Sequence, residues 1–344
     1  MKEKFNEFYE NYKDKLYDIY LKFNQSKSKI EKRFVIAMIA FLVIFILFSY
    51  RLKLLVDSSS LFIILGCILI VVSIFIGIFL RLRREMYKLN KNIIEDIVKY
   101  ITSDKNAIYE PNKRICIENI KDMELFNLDN LKYNGNNAIS TNYNGNYMNF
   151  ADMEIYYYKD KIKEEKAYDK DGKEYIKKTV DKVKKYVFDG CYISATLNKK
   201  IAEHIYLIPN NFADLITNGT LKDYITYSGE EIQLENIEFS KKYKVYSDDE
   251  IQARYILSLS LMEKINEIDD ILKGKKYIVF KAGRRFVICL EGFKIENLRK
   301  ISLPFNYNSS KLKESLKYIF ENLNKLFEIY NILELGNDIY VDKT

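Results

Sequence analysis

Few side chains in this 344-residue chain could serve as nucleophiles or as general acids and bases. It has one histidine, His204, and four cysteines, at positions 67, 116, 191 and 289. A single imidazole excludes metal sites that need several histidines, and any Ser-His-Asp triad would depend on His204. Cys191 and His204 lie on predicted strands that we expect to be neighbours, so they form a candidate thiol–imidazole pair. No pattern supplies an oxyanion hole, which favours the alternative of a buried thiol and an edge histidine.

Sequence motifs for phosphate, metal and redox chemistry are also missing. The sequence contains no GxxxxGK[ST] or GxGxxG pattern, and its scattered cysteines form no CxxC pair, as is usual for proteins of a reducing cytoplasm. Asp248, Asp249 and Glu250 could bind a metal, but their place at the start of a predicted helix explains them as capping residues. We therefore predict no catalytic residues, no metal site and no cofactor.

The net charge of +7 could point to an acidic partner, so its location matters. Two stretches, 34–50 and 61–80, contain no charged residue, and at about 1.5 Å per residue the second can cross a hydrocarbon core of about 30 Å. The basic excess lies around these stretches, because residues 106–344 hold 37 basic and 37 acidic side chains. A nucleic-acid partner is therefore not expected, and the charge is typical of membrane-flanking segments.

We predict that the two stretches form a transmembrane helical hairpin (34–80) in the cell membrane, with the lipid bilayer as its partner. The basic residues that flank the spans are Lys32 and Arg33 before the first, Arg51 and Lys53 between them, and Arg81, Arg83 and Arg84 after the second. Since lysine and arginine favour the cytoplasmic side, this multi-pass protein should have both termini in the cytoplasm.

The segments next to the spans, 1–33 and 81–105, repeat apolar or aromatic side chains at helical spacing. In the first, this stripe includes Phe5, Tyr12 and Leu16. We predict that the two helices pair as a cytoplasmic stalk, which could also join two copies of the chain in a homo-oligomer. The alternative places the first, amphipathic helix flat on the lipid headgroups.

Residues 106–344 are predicted to form a cytoplasmic α+β domain with antiparallel strands and two late helices. Asn-Gly in two Tyr-Asn-Gly-Asn copies, 133–136 and 143–146, indicates turns, and Asp171-Gly172 indicates the turn of a long hairpin. The predicted strands are 153–168, 174–188, 191–197, 204–208, 232–246 (with a connecting loop), 277–280 and 286–290. The first late helix follows position 247 and ends at Gly274, and the second spans about 310–330.

The first late helix begins with Ser-Asp-Asp-Glu, which is a capping box. In this motif Ser247 accepts a hydrogen bond from the first turn, and Glu250 reaches back. Ile251, Tyr255 and Ile268 lie on the face that we expect to be buried.

Arg254 lies one turn after Glu250, and the sequence allows two roles for it. It could form a local ion pair with Glu250. Alternatively, it could be buried against Glu235 or Glu238 and fix the junction between strand and helix, in which case its removal would leave an unpaired charge.

The stretch 234–265, LENIEFSKKYKVYSDDEIQARYILSLSLMEKI, resembles a family of bacterial membrane proteins known as domain of unknown function 3137. The family pattern consists of Leu-Glu, Glu-Phe, a Val-Tyr-Ser-x-Asp turn and an Ala-Arg-Tyr-Ile-Leu helix that ends near Met-Glu. The matching positions are Leu234, Glu235, Glu238, Phe239, Val245, Tyr246, Ser247, Asp249, Ala253, Arg254, Tyr255, Ile256, Leu257, Met262 and Glu263.

Two further segments carry the same resemblance. Phe188-Asp189-Gly190 and 150–154 are similar to other elements of the family, and the likeness covers about 85–335. The resemblance implies no activity. The resemblance implies an envelope context, because family members are encoded near LemA-type membrane proteins. We expect a protein partner in the envelope. We expect an integral membrane protein that acts as a non-enzymatic scaffold or partner-binding domain; the alternative is a small-ligand sensor or an enzyme with an unrecognised pocket.

The predicted long hairpin is both basic and aromatic. Residues 156–188 hold 11 basic and 7 acidic side chains together with six tyrosines. Such a surface is most often a solvated hairpin whose lysines prevent aggregation. It could also contact an anionic inner leaflet or bind single-stranded nucleic acid, and the sequence leaves these alternatives open.

Overall fold

A computed structural model of the protein describes residues 2–52, 59–168, 170, 174–210, 224–299 and 309–333. The described residues divide into two compact units, one within 1–94 and 301–317 and the other within 95–300 and 318–344. Helices form the first unit, and the second contains the sheet.

Two long helices, α1 (Lys2–Leu52) and α2 (Ser59–Thr102), form most of the first unit. They lie side by side, because the Phe34 ring of α1 is 6.2 Å from the Phe75 ring of α2, centroid to centroid. Both helices also line a cleft of about 270 Å³. The predicted connector between them, including Lys53, falls largely on residues outside the described part of the chain.

The predicted apolar stripe of the N-terminal segment is buried. Phe5, Tyr12 and Leu16 are each less than 10% exposed, and the Lys313 ammonium lies 4.5 Å from the centre of the Tyr9 ring. The stripe is therefore buried in the structure, and its pairing with 81–105 stays a prediction.

Further along α1 and α2, large apolar side chains are exposed by 46% to 65%. They are Val35, Ile36, Ile39 and Val43 of α1, and Leu69, Val72, Phe75, Ile76, Phe79 and Leu80 of α2. Within the residues that the structure describes, no helix combines the length and the apolar character required of a membrane span. The predicted transmembrane hairpin is therefore not confirmed.

The second unit is built on an antiparallel sheet and has the predicted α+β architecture. Its strands are β1 (Ile108–Glu110), β2 (Lys132–Tyr143), β3 (Asn146–Tyr168), β4 (Glu174–Ile201), β5 (Ile205–Pro209), β6 (Glu230–Ile232), β7 (Tyr243–Ser247), β8 (Lys276–Lys281) and β9 (Gly283–Glu291). Among the described residues, their order across the sheet is β1-β2-β3-β4-β9-β8-β5-β7-β6.

Short helices connect the strands, and a long helix follows them. They are α3 (Ile117–Lys121), α4 (Ile237–Lys242), α5 (Glu250–Ile256), α6 (Leu259–Ile271), a 3-10 helix (Ile295–Arg299) and α7 (Ser309–Ile332). The apolar face predicted for α7 is buried, with Leu316 and Leu323 fully inaccessible.

The Asn-Gly turn signals were correct only where the residues do not pair with a strand further along the chain. Asn144 and Gly145 form the β2–β3 turn with φ angles of 48° and 81°, the left-handed region that Asn-Gly favours. The other copy, 133–136, was wrongly predicted as a turn, because it pairs with β3 inside the sheet. The Asp171-Gly172 turn lies outside the described residues.

Two predicted elements are interrupted. The segment 232–246 contains α4 between β6 and β7, because Asn236 caps a short helix by accepting a hydrogen bond from the Phe239 N–H at 3.0 Å. The late helix breaks into α5 and α6 at Ser258, whose side chain caps α6. Only the first part of the predicted face is turned outward, so that Ile251 is 84% exposed and Tyr255 59%, whereas Ile268 in α6 is buried as predicted.

Candidate interaction surface

The strands β3 and β4 continue beyond the sheet as a two-stranded ribbon. β2 pairs with β3 only as far as Lys132 opposite Tyr156, and β9 pairs with β4 only from Gly190 onward. Among the described residues, 157–168 and 174–185 therefore pair only with each other. We call these two segments the ribbon. Its β3 strand is about 40 Å long at ~3.3 Å per residue.

The two faces of the ribbon differ in chemistry. One face carries an aliphatic row of Ile162, Val180 and Ile176, whose side chains are 59% to 62% exposed. The register places Lys159, Lys161 and Lys163 of β3 on the opposite face, together with Lys177 and Lys185 of β4. The aliphatic face also carries lysines, namely Lys166, Lys178, Lys182 and Lys184. Each face thus offers a different surface to a binding partner.

The two strands of the ribbon are joined by main-chain pairing and by exposed ion pairs, and not by a buried core. The ammonium–carboxylate distances are 2.6 Å for Lys163–Asp181, 2.8 Å for Lys178–Glu164 and 2.7 Å for Lys166–Glu174. Pairs of this kind contribute about 0–1 kcal/mol each, and an isolated hairpin is marginally stable. The ribbon therefore adds exposed surface and little stability.

A cleft of about 660 Å³ lies at the root of the ribbon, where β2 ends beside β3. Tyrosine, lysine and asparagine side chains line it, namely Asn127, Asn130, Lys132, Tyr157, Tyr158, Lys182 and Tyr224. The Tyr157 and Tyr224 rings stack with centroids 4.6 Å apart, and the Lys132 ammonium lies 5.0 Å from the Tyr158 ring centre. These groups suit a ligand with an apolar or aromatic part next to a negative charge.

The walls of the cleft are fixed to the core of the second unit. The Asn127 N–H donates to the Tyr224 carbonyl at 2.9 Å, which ties two distant segments together. Next to Asn127, the Phe126 ring lies 6.0 Å from Phe188 and 6.4 Å from Tyr277, centroid to centroid. The cleft is therefore formed before any ligand binds.

A charged network stabilises the strands just inside the ribbon. Glu154 of β3 and Asp189 of β4 lie directly opposite each other, an arrangement that is destabilising for like charges. The Lys294 ammonium contacts both carboxylates, at 2.9 and 2.5 Å, and Lys184 contacts Glu154 at 2.8 Å. Burial acts to raise the pKa of Glu154, but the hydrogen bonds from Lys184 and Lys294 outweigh it and lower that pKa.

Asp152 joins three elements beneath this network. Its carboxylate accepts hydrogen bonds from the Asn137 side chain at 2.7 Å, the Ile295 N–H at 2.6 Å and the Glu296 N–H at 2.8 Å. The Tyr109 hydroxyl in turn donates to the side-chain oxygen Oδ1 of Asn137 at 2.8 Å. Burial raises the pKa of Asp152 to about 6, against the lowering effect of these donors. The carboxyl group connects β3, the β2 bulge and the 3-10 helix, so its role is structural.

The candidate Cys191–His204 pair does not form. The sheet order places β9 and β8 between β4, which carries Cys191, and β5, which follows His204. Cys191 is fully buried, and burial raises the pKa of its thiol. The His204 ring instead stacks on Tyr206, and its partial burial lowers the pKa of the imidazole. Our expectation of neighbouring strands was wrong because a hairpin from later in the chain inserts between them.

Metal binding finds no support in the part of the chain that the structure describes. Its histidine, cysteine and acidic side chains form no group of three or more that could hold a metal ion.

The capping box differs from the predicted one. Ser247 still belongs to β7, where its hydroxyl donates to the His204 carbonyl at 2.8 Å and accepts from the Asp249 N–H at 3.2 Å. The cap of α5 is Asp249, whose carboxylate accepts from the Gln252 N–H at 2.9 Å. The strand thus continues further than its sequence pattern indicated.

Arg254 forms the local ion pair and is not buried. Its guanidinium contacts the Glu250 carboxylate and the Gln233 carbonyl at 2.8 Å each, and its side chain is 40% exposed. Glu235 is a weaker neighbour at 3.9 Å, whereas Glu238 pairs with a lysine of its own helix. The junction is therefore held by an exposed cluster rather than by a buried charge.

The two aromatic residues of the signature have opposite environments. Phe239 is fully buried and packs on Tyr243 with ring centroids 5.3 Å apart. Tyr255 is 59% exposed on α5.

The predicted membrane-flanking residues lie on the two long helices. Lys32, Arg33, Arg81, Arg83 and Arg84 are exposed, and Arg33 and Arg81 line the same cleft between α1 and α2. Arg51 is in the last turn of α1, and its side chain is outside the described part, as is all of Lys53.

Residues 186–335 match the family model described as "Protein of unknown function (DUF3137)". This range is similar to the DUF3137 family, and it covers less than half of the 344-residue chain. The resemblance expected from the sequence is thereby confirmed, and the matched range includes the signature residues from Glu235 to Tyr255. Most of the DUF3137 match is sheet and late helices, while the β3 strand of the ribbon precedes it.

The crystal structure of the mycobacterial trehalose monomycolate transport factor A, TtfA, is similar to this chain at a TM-score of 0.30. The two are 10% identical, and the likeness covers 69% of this chain and 95% of that one. A comparison with curated proteins gives no match.

Sequence reasoning identified only part of the cleft. The tyrosine- and lysine-rich composition of 156–188 drew attention to Tyr157, Tyr158 and Lys182. Tyr224 and Asn127 carry no motif, and they reach the cleft through pairing between segments far apart in sequence.

Proposed function

We propose that this protein is a non-enzymatic scaffold, tethered to the cytoplasmic face of the cell membrane by α1 and α2, that holds a partner protein there. One observation carries the proposal. The described stretches of α1 and α2 between 35 and 80 expose ten large apolar side chains, next to two runs without any charge. An apolar surface of this extent is unfavourable in water and favourable in hydrocarbon.

The charges at the ends of the helices support the proposed orientation. Five basic residues lie at one end of the apolar region, namely Lys32, Arg33, Arg81, Arg83 and Arg84. The other end has only Arg51 and Lys53 among the predicted flanking residues. The end with more basic residues belongs on the cytoplasmic side by the positive-inside rule.

The ribbon supports the partner-binding part of the proposal. It extends about 40 Å beyond the sheet, contributes little to the core and exposes an aliphatic row on one face. Two of the thiols, in contrast, are packed away. Cys191 and Cys289 are fully buried, and burial raises the pKa of both thiols.

Thiol labelling tests the tether and its orientation. The native Cys116 is exposed and should lie on the cytoplasmic side, so an impermeant maleimide should label it only after the cells are permeabilised. The variant Ser59→Cys should be labelled in intact cells, with the native chain as its control. Labelling of Cys116 in intact cells would contradict the orientation, and extraction of the protein by sodium carbonate would contradict the tether.

Photo-crosslinking tests the partner. A photoreactive amino acid at Ile162 of the ribbon should give a reproducible cross-linked protein in native membranes. The same amino acid at Ile251, which is 84% exposed on α5, is the matched control. Equal products from both positions, or none from Ile162, would count against a partner at the ribbon.

The cleft favours a second candidate function, a small-ligand sensor. Its volume of about 660 Å³ falls within the range of about 300–1,000 Å³ that is typical of ligand pockets. A metabolite screen by thermal shift should then give a hit that Tyr157→Ala abolishes. A hit that the variant retains would place the ligand elsewhere.

A further inference from the structure

We propose that the outer edge of β3 in the ribbon binds an extended segment of the partner as an additional antiparallel strand, and that this segment alternates acidic and apolar side chains. This inference rests on the partner-binding role proposed above. It goes beyond that role by naming the recognition mode and the chemistry of the segment.

The ribbon leaves one edge of β3 unpaired among the described residues. β2 stops at Lys132 opposite Tyr156, but β3 continues for twelve residues, to Tyr168. Among the described residues, these twelve pair with β4 on one side and with no strand on the other. An edge strand directs the N–H and C=O groups of alternate residues outward, where they can pair with an added strand.

The two faces of this edge define the side-chain pattern of the added strand. Lys159 and Lys161 lie next to the edge, and the ion pairs of the described ribbon use other lysines, so Lys159 and Lys161 favour acidic side chains on their face. On the other face, Tyr158 and Ile162 flank Asp160 next to the same edge; the two apolar side chains are 45% and 62% exposed and favour apolar side chains opposite them. Since an added strand alternates between the faces, the preferred segment alternates acidic and apolar residues.

The cleft lies where this unpaired edge begins. Tyr157, at the start of the edge, stacks on Tyr224 inside the cleft, and Lys132 and Lys182 line it as well. A side chain at the end of the added strand can enter this preformed space, and an aromatic side chain with a nearby carboxylate suits its tyrosines and lysines. Main-chain pairing would then give affinity, and the cleft would fix the register of the segment.

The charge of the ribbon favours a partner over a second copy of the chain. Two ribbons side by side would bring their lysine-rich faces together, and like charges opposite each other are destabilising. A lipid surface could attract the same lysines, but it has no backbone groups to pair with the edge.

A peptide-binding measurement on the full chain in neutral-lipid nanodiscs tests the inference. The probe is a fluorescein-labelled peptide of alternating valine and glutamate with one terminal phenylalanine, followed by fluorescence anisotropy. Two control peptides carry lysine in place of glutamate, or N-methyl groups on alternate residues. We expect the probe to bind at least tenfold more tightly than either control. The lysine peptide reverses the charge, and the N-methylated peptide cannot form the main-chain hydrogen bonds.

Protein variants localise the binding. Lys159→Gln combined with Lys161→Gln should weaken the probe about fivefold. The matched pair Lys177→Gln and Lys185→Gln removes two charges from the same face but from β4, and should change binding less than twofold. Tyr157→Ala should also weaken binding, through the cleft. Equal loss from the β3 and β4 pairs would show that net charge alone attracts the peptide and would overturn the inference.

Two other outcomes would also overturn it. The N-methylated peptide could bind as tightly as the probe, which would exclude strand addition. The probe could fail to bind while phosphatidylserine vesicles bind in a manner that depends on Lys159 and Lys161, which would assign the ribbon to lipid. In either case, a cross-linked partner at Ile162 would leave the proposed scaffold function intact, so the two failures are distinguishable.

Discussion

At the scale of single residues, Asp152 shows how a buried carboxylate can serve architecture alone. It is 3% exposed, and its three donors come from β2 and from the start of the 3-10 helix, far apart in sequence. A buried acceptor of this kind is stabilising only while all of its donors are satisfied.

The variant Asp152→Asn should therefore be destabilised. An amide has one acceptor oxygen, so either the Ile295 or the Glu296 N–H loses its partner, at a cost of about 1–3 kcal/mol in the free energy of unfolding. Denaturant titration of the purified chain in detergent measures this change. Asp160→Asn, in the exposed ribbon, is the matched control and should leave the midpoint unchanged.

The same pair of proteins should differ in pH dependence. The pKa of Asp152 in the folded protein, about 6, lies above its ordinary value of 3.8, so the folded state binds the proton more tightly. The stability that this carboxyl contributes is fully present below about pH 4 and is lost as the pH rises through about 6. The deficit of Asp152→Asn should thus grow by about 2 kcal/mol between pH 7 and pH 4.5. A deficit that shrinks on acidification would contradict the raised pKa.

At the scale of elements, the pairing of β4 with β9 depends on a glycine. A Cβ atom at Gly190 would lie 2.0 Å from the Leu290 carbonyl oxygen, and this backbone contact cannot be relieved by a rotamer change. Gly190→Ala should therefore separate the two strands and lower the unfolding midpoint by several degrees, measured by tyrosine fluorescence. Gly77→Ala is the control, because a Cβ there meets nothing within 4 Å. Equal stability of the two variants would contradict the close approach.

The sequence was sufficient for elements whose signals are local. The long β3–β4 hairpin, the β8–β9 hairpin and α7 follow from alternation, turn residues and helical periodicity over adjacent residues. The order of strands does not, because β5 pairs with β8 from a segment more than 60 residues later. For the same reason Lys294, which contacts Glu154 and Asp189, carries no local signal. The cleft was only partly predictable, since Tyr224 reaches it through long-range pairing.

At the scale of the whole molecule, charge is separated in a way that the totals conceal. Residues 106–344 hold 37 basic and 37 acidic side chains, but 11 and 7 of these belong to 156–188. The remainder therefore has 26 basic and 30 acidic side chains, so a positive hairpin extends from a slightly negative body. In the binding role proposed for the ribbon, such a separation would steer an acidic partner to it during diffusional encounter.

If the ribbon serves binding and not folding, it can be shortened without harm to the sheet. Lys161 and Asp181 lie directly opposite each other, so residues 162–180 can be replaced by Asn-Gly, a two-residue turn that closes such a hairpin. The loss comprises three exposed ion pairs and no buried core, so the unfolding temperature should fall by only about 2–4 °C. Cys191 and Cys289, both fully buried, should stay unreactive toward maleimide in the native state, whereas the alternating valine–glutamate peptide should bind more weakly. A drop of more than about 10 °C, or reactive thiols at these two positions, would show that the ribbon supports the core and would remove the main reason to regard it as a binding arm.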